Sequence, residues 1–375
     1  MTALTSHITP RITRKRALVA ATATVAAGSL ILLVPALAGL ADSWNRIANG
    51  DPSWLALALG LEVLSFAGHI LLFRTVCLDS GSRFGYRESY QVTMAGHAAT
   101  RLLASAGAGG VALTAWSMRR AGMERRDVAQ RMVTFIVLLY SVYMAALLVG
   151  GVLLFAGVLS GDAPIGVTLI PAAFGAFVIA IALASPLAAG RLESRFGASS
   201  RGWVRKLAPA PASLAGGVRD AIRLVRKGNL GLLGAIMWWG FDIAVLWACF
   251  HAFGFAAPTF AVATMAYFVG MFANTLPLPG GVGGVDGGMI GALLAFGVAP
   301  EQAVISVLAY RAFSFWLPIA PGAIAYFQLR RTFGRWDAAS AEEPELPRRE
   351  PARPHVTSGR PRFTPQPQSQ LEVAA

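Results

Sequence analysis

The sequence predicts an all-α membrane protein: about six transmembrane helices, plus two hairpins of broken helices related as inverted repeats. Its 375 residues are 55% hydrophobic and only 14% charged, whereas soluble domains carry about 25% charged residues. Apolar runs of 18 or more residues recur along the chain, and each is long enough to cross a bilayer as a helix. Two further apolar regions are longer and are interrupted by glycine and proline.

Six uninterrupted runs are the predicted spans, and the charges between them set their direction. Loops with an excess of Lys and Arg stay on the cytoplasmic side. The alternation of basic and non-basic loops therefore predicts a multi-pass protein of the plasma membrane with both termini in the cytoplasm. The predicted spans are Ala17–Leu40, Trp54–Leu78, Met132–Leu159, Ile165–Gly190, Leu230–Phe253 and Ala303–Leu329.

The two interrupted regions, Glu88–Met118 and Pro258–Gly297, are each flanked by loops of one type. The first lies between basic loops and the second between loops without basic residues, so each is predicted to leave the membrane by the face it entered. They can be re-entrant half-helices or full helix pairs. Irregular backbone at membrane depth is tolerated only when protein buries it or it lines a wet cavity, which favours re-entrant elements around an internal cavity.

The second hairpin contains "NTLPLPGGVGGVDGG" at 274–288, and the first contains a weaker copy of it. With Gly96 aligned to Gly270, several glycines of the first hairpin coincide with glycines of the second. Opposed repeats with broken helices are how many transporters build a substrate site, although tight helix packing through small residues is the alternative. The predicted hinges and backbone breaks are Gly107, Gly109, Gly110, Pro277, Pro279, Gly280, Gly281, Gly283 and Gly284.

The lone His69 falls inside an apolar stretch and is expected to be a hydrogen-bonded packing or interface residue rather than a ligand. Five charged residues also fall inside apolar stretches, where each charge costs about 2.5–3.5 kcal/mol. They are expected to face inward and to pair. Arg101 and Arg311 suit a phosphate, because a guanidinium offers a planar fork of donors. Asp286, in the first turn of a half-helix, can cap that helix, carry a proton or pair with an arginine. The predicted lipid-binding or substrate-binding residues are Glu62, Arg101, Asp242, Asn274, Asp286 and Arg311.

Other functional classes find little support in the sequence. The formal charge of +13 would suit a nucleic-acid binder, but the basic residues lie in loops beside apolar segments, so no nucleic-acid partner is expected. "GAGGVA" at 107–112 fits a dinucleotide motif without the βαβ unit that the motif requires. Neither a P-loop, a catalytic triad nor a zinc motif is present, so the chain is predicted not to be an enzyme and to use no cofactor or metal.

The segments outside the membrane are predicted from their composition. Residues 1–16 form a basic cytoplasmic N-terminus, and 17–330 the transmembrane domain. The first span is expected to be retained rather than cleaved as a signal peptide, because it is long for one. The loop 191–227 contains "GGVRDAIRLVRKG", which can form an amphipathic helix on anionic lipid, but a plain cytoplasmic loop is the favoured interpretation. The Pro- and Arg-rich tail 331–375 is expected to be disordered.

The second hairpin and the helix after it closely resemble the transmembrane, flippase-like region of lysylphosphatidylglycerol synthases and their stand-alone relatives. The resemblance spans most of residues 17–330, and its specific part is an Asn, a Pro-x-Pro-Gly-Gly-x-Gly turn, an acid and a later arginine. This chain has Asp286 where the family usually has glutamate. With some 45 polar residues after the last span, we expect no aminoacyl-transferase domain. The motif falls on Asn274, Pro277, Pro279, Gly280, Gly281, Gly283, Asp286 and Arg311.

Together these observations favour a protein that binds or translocates an anionic lipid, such as a phospholipid or a polyprenyl-phosphate-linked precursor. The glycine breaks would move, and Asp286 with Glu62 or Asp242 would serve as a gate or proton carrier. One alternative is a scaffold that recruits an envelope-lipid or glycan synthase as its partner. Another is a secondary transporter of a small solute.

Overall fold

A computed structural model describes residues 50–78, 83–102, 108–197, 202, 209–272, 281 and 283–342. Throughout these residues the secondary structure is helical, without strands, which confirms the predicted all-α bundle. The predicted first span, Ala17–Leu40, and most of the tail lie outside them. The chain separates into two units, Met1–Phe333 and Gly334–Ala375, and the site lies within the first.

Five helical segments in the described part are long and apolar enough to cross a membrane, and they match the predicted spans other than the first. The last is divided by a π-helical turn into two helices. The helices of these segments are α1 (Pro52–Cys77), α4 (Arg125–Phe155), α5 (Leu169–Gly197), α7 (Leu233–Ala252, after a 3₁₀ turn Leu230–Leu232), and α10 (Pro300–Arg311) with α11 (Ile319–Glu342) for the divided last segment.

Four shorter helices form the two predicted hairpins, and one more lies in the basic loop. The first hairpin consists of α2 (Tyr86–Leu102) and α3 (Ala108–Arg120), and the second of α8 (Phe260–Met271) and α9 (Gly284–Ala295). Helices of 12 residues, such as α8 and α9, are about 18 Å long, whereas the hydrocarbon core is about 30 Å thick. These lengths favour the re-entrant form of the second hairpin.

The basic stretch 191–227 is not the plain loop that we favoured. Residues Pro209–Arg226 form helix α6, with Ala215, Val218 and Ala221 buried where it packs on α4 and α5. An apolar stripe at helical spacing allows this surface to be covered by the bundle. The amphipathic pattern therefore describes the segment better than its charge alone.

Helices α1 and α7 form an antiparallel pair at the centre of the unit. The Asp51 N–H, at the start of α1, donates to the carbonyl of Ala252, at the end of α7, over 2.7 Å. Midway along the pair, the Ser65 hydroxyl donates to the Trp238 carbonyl at 2.8 Å. This pair carries Glu62 and Asp242 into the interior, where both are buried.

The second hairpin begins and ends at the same side of the bundle. At the start of α8, the Thr259 hydroxyl donates to the Ser160 carbonyl at 2.8 Å. After α9 ends, Gly297 lies against the Asp162 carboxylate, and a Cβ there would be 3.0 Å from it. Both ends of this hairpin therefore contact the loop between α4 and α5, in agreement with the prediction that the hairpin leaves the membrane by the face it entered.

In each hairpin, glycine lets the two helices come close together. In the first hairpin, a Cβ on Gly96 would lie 3.4 Å from the Thr114 hydroxyl. In the second, a Cβ on Gly288 would lie 3.0 Å from the Gly270 Cα. In the predicted register Gly96 aligns with Gly270 and Thr114 with Gly288, and the inverted-repeat relationship of the two hairpins stays a prediction.

Candidate functional site

A cavity of about 280 Å³ lies where the hairpins and the long helices meet. Its wall includes residues of both hairpins, among them Gly110 from the first and Gly281 from the second. Two segments that are predicted to enter the membrane from opposite faces thus border one cavity. The predicted site and hinge residues in its wall are Glu62, Arg101, Gly110, Asp242, Gly281 and Arg311.

Arg101 lies in the last turn of α2, where the helix dipole favours a cation. One terminal nitrogen, Nη2, donates to the backbone carbonyl of Ser314. The other, Nη1, is buried without a hydrogen-bond partner among the described residues. Because the side chain lines the cavity, it does not reach out to the membrane surface. A buried donor without a partner carries a desolvation cost, and an anion in the cavity would relieve it.

Arg311 lies in the same wall but is already paired. Its Nε is 2.6 Å from Asp286 Oδ1, and the two side chains form an ion pair. Asp286 also accepts, through Oδ2, the Gly283 N–H at 3.0 Å, and so caps the start of α9. Gly283 has a φ of 80°, in the left-handed region that favours glycine. Of the predicted roles of Asp286, the structure shows capping and pairing.

A π-helical turn, Ala312–Trp316, directly follows Arg311, and its residues contact both arginines. Both guanidinium groups pack on the Phe315 ring, with Cζ at 5.9 Å for Arg101 and 4.4 Å for Arg311 from its centroid. Cation–π contacts are significant within about 6 Å. Because a π-turn departs from the α-helical hydrogen-bond pattern, this segment can offer the Ser314 carbonyl to Arg101.

Glu62 and Asp242 form a carboxyl pair at the end of the cavity bordered by α1 and α7. They are 4% and 5% exposed, and both side chains lie in the cavity wall. Two tyrosine hydroxyls, those of Tyr267 and Tyr310 (3.1 Å), donate to Asp242 Oδ2. Glu62 Oε2 and Asp242 Oδ1 have no hydrogen-bond partner in the described part of the chain.

An aromatic cluster that sequence reasoning missed forms another side of the cavity. The His69 ring lies 4.6 Å from the rings of both His97 and Trp238, and His97 lies 4.9 Å from Trp238. The sequence predicts His69 only as a packing or interface residue. The available signal was spacing, since His97 precedes Arg101 by four residues and therefore shares its helix face.

The cavity reaches the outer surface of the bundle between α3 and α4. Val111 and Tyr140 line the cavity and are also 42% and 46% exposed. Ile136, one turn before Tyr140, is likewise both a lining residue and exposed. A polar interior is thus joined to an opening with an apolar rim. An opening in the side of a membrane bundle faces acyl chains rather than water.

The structure brings together Glu62, Arg101, Asp242 and Arg311 at one cavity, with Asp286 joined through its ion pair. Gly109 and Gly110 lie in the first turn of α3, and Gly283 and Gly284 at the start of α9. Within the described residues no group of three His, Cys, Asp or Glu side chains is placed to hold a metal. The predicted residues that fall outside the described part are Gly107, Asn274, Pro277, Pro279 and Gly280.

Comparison with known families gives one match, which covers most of the chain. The family model described as the lysylphosphatidylglycerol synthase TM region matches residues 19–322. No curated protein matches the sequence.

Proposed function

Because the chain belongs to the lysylphosphatidylglycerol synthase TM-region family, we propose that this multi-pass membrane protein binds an anionic lipid and moves its headgroup between leaflets. The observation that carries the proposal is the buried Arg101 Nη1, which borders the cavity without a partner among the described residues. A phosphate oxygen would supply the missing acceptor, in a charge-assisted bond stronger than a neutral one.

The side opening supports a lipid rather than a small soluble solute. With the headgroup beside Arg101, the acyl chains can leave through the rim formed by Val111, Ile136 and Tyr140 and remain in the bilayer. Only the polar headgroup then has to cross inside the protein. A soluble solute would gain nothing from an apolar side exit.

The proposed orientation keeps the basic ends of the helices in the cytoplasm of the cell. Arg119, Arg120, Arg125 and Arg126 stand where α3 ends and α4 begins. The described loops at the opposite side, 50–51, 156–168, 253–259 and 296–299, contain neither Lys nor Arg. The positive-inside rule places such loops outside. The first hairpin then opens from the cytoplasm and the second from the exterior.

Reconstituted vesicles test the proposal directly. Phosphatidylglycerol with a fluorescent acyl chain is incorporated in both leaflets, and an impermeant reductant quenches only the outer label. Vesicles with the protein should lose more label than empty vesicles, because inner-leaflet lipid reaches the outside. A phosphatidylcholine carrying the same label reports selectivity for an anionic headgroup.

A matched pair of arginine variants makes the test specific. Arg101→Gln removes the cavity charge, whereas Arg126→Gln removes a charge from an exposed position. Translocation should fall to the empty-vesicle level in the first variant and persist in the second. Wild-type vesicles that keep as much label as empty vesicles, for anionic lipids of each headgroup tried, would contradict the proposal.

A further inference from the structure

We propose that Glu62 and Asp242 form a proton-binding site that takes up one proton when an anionic headgroup occupies Arg101. This inference rests on the proposed function and adds to it a coupling ion. It would make lipid binding depend on pH and would link translocation to a proton gradient.

Glu62 is the member of the pair that is placed to hold an added proton. A hydrogen bond needs an O–H or N–H donor, and two ionised carboxylates are acceptors only. The two tyrosine hydroxyls both donate to Asp242, so Asp242 is held as the accepting carboxylate. When the pair takes up a proton, that proton therefore resides on Glu62, which can then donate a hydrogen bond to Asp242.

The pair is connected to the cavity rather than sealed in the core. Both side chains are in the cavity wall, and the oxygens Glu62 Oε2 and Asp242 Oδ1 lack partners among the described residues. Thr93 is 5% exposed and also lies in the cavity wall. Its buried hydroxyl likewise has no hydrogen-bond partner among the described residues. A water or headgroup oxygen in the cavity can thus reach the pair and exchange its proton.

Arg101 is the cation that links the pair to a lipid. It acts electrostatically on both Glu62 and Asp242, while its Nη1 borders the same cavity. The other titratable or charged groups facing the pair come from several packed helices. They are Cys249 on α7, Tyr267 on α8, and Tyr310 and Arg311 on α10, with His69, His97 and Tyr140 also in the cavity wall.

A phosphate beside Arg101 changes the charge that the carboxyl pair experiences. In the empty cavity, the guanidinium favours the fully ionised pair, because an opposite charge stabilises a carboxylate. A bound phosphodiester offsets the positive charge of Arg101 with its single negative charge, so ionised carboxylates are stabilised less and the protonated pair is favoured. Linkage is reciprocal, and a proton on the pair must therefore strengthen phosphate binding by the same factor. The proton comes from water as the lipid binds and returns to water as it leaves.

Binding measured against pH tests this coupling without transport. The purified protein in detergent is titrated with short-chain fluorescent phosphatidylglycerol, a phosphodiester that stays singly charged from about pH 5 to pH 9, the range in which a buried carboxyl pair can titrate. One linked proton weakens affinity by at most about tenfold per pH unit as pH rises. An indicator dye in weak buffer should report uptake of up to about one proton per lipid bound.

Two Glu→Gln variants separate the site from general effects. Glu62→Gln should bind with pH-independent affinity and take up no proton, whereas Glu124→Gln, at an exposed position before α4, should behave as wild type. If Glu62→Gln does not fold, proton uptake by the wild type decides the question.

The result that would overturn the inference is wild-type lipid binding with constant affinity across this range and no proton uptake. In that case the proposed function would stand. Failure to bind or move anionic lipid at each pH tested would instead overturn both.

Discussion

Removing either partner of the ion pair between Asp286 and Arg311 should destabilise the protein, and removing both should cost less than the sum of the two single losses. The two side chains are 17% and 9% exposed, and their charged atoms are 2.6 Å apart. Removing one partner of a buried pair costs about 3–5 kcal/mol, because the other charge stays buried without compensation. We expect about 3 kcal/mol for Asp286→Asn, which keeps an oxygen to cap α9. Arg311→Gln should cost more, because it also loses the contact with Phe315.

The assay is a double-mutant cycle on thermal stability in detergent. With about 2.1 cal/mol/K of unfolding entropy per residue, a unit as large as Met1–Phe333 loses about 1.4 °C per kcal/mol, so each single variant should melt at least about 4 °C below wild type. The double variant should lose less stability than the sum of the two single losses. The difference is the coupling energy, which we expect to be about 1–3 kcal/mol. Additive losses would refute the reasoning, because they would show that the two residues do not stabilise each other.

The remaining predictions concern the first hairpin and the cavity. Gly110→Ala should destabilise by about 1–3 kcal/mol, because its Cβ would lie 2.6 Å from the Gly96 carbonyl oxygen; Gly60→Ala, with no atom within 4 Å, should stabilise by about 0.5–1 kcal/mol in the same melt. Arg101→Gln should weaken phosphatidylglycerol binding about tenfold or more, in line with a charge-assisted bond of 1.5–3 kcal/mol, and an unchanged Kd would exclude a phosphate contact. Val111→Trp should narrow the side opening and slow lipid movement without lowering the melting temperature, whereas faster movement would place the exit elsewhere.

The sequence was sufficient for the bundle because hydropathy and charge act locally. A helix such as α7 needs only about 20 apolar residues to be recognised, and basic loops identify its cytoplasmic end. Both hairpins were found in the same way, from breaks within apolar runs. The nature of the 191–227 stretch was judged incorrectly because its charges were weighted above the apolar stripe that α6 buries on its neighbours.

The candidate site was only partly predictable, since its partners are distant in sequence. Buried charges are expensive, so Glu62, Asp242 and Arg101 could be selected by position alone. Which charge pairs with which depends on tertiary packing, and the sequence assigned equal phosphate-binding roles to Arg101 and Arg311. The contribution of the Ser314 backbone carbonyl carries no sequence signal, because it depends on a π-helical turn rather than on a side chain.

The difference between the two arginines suggests how movement could be tied to the lipid. On the proposed function, Arg101 accepts a headgroup at once, whereas Arg311 can do so only after Asp286 releases it. If that release costs about 3 kcal/mol, the open state is populated below about 1% without a ligand. A phosphate that replaces Asp286 as the partner of Arg311 would offset this cost, because a ligand shifts a conformational equilibrium only by its differential affinity for the two states. A lipid without an anionic headgroup provides no such replacement, so the same ion pair would keep the path closed to it.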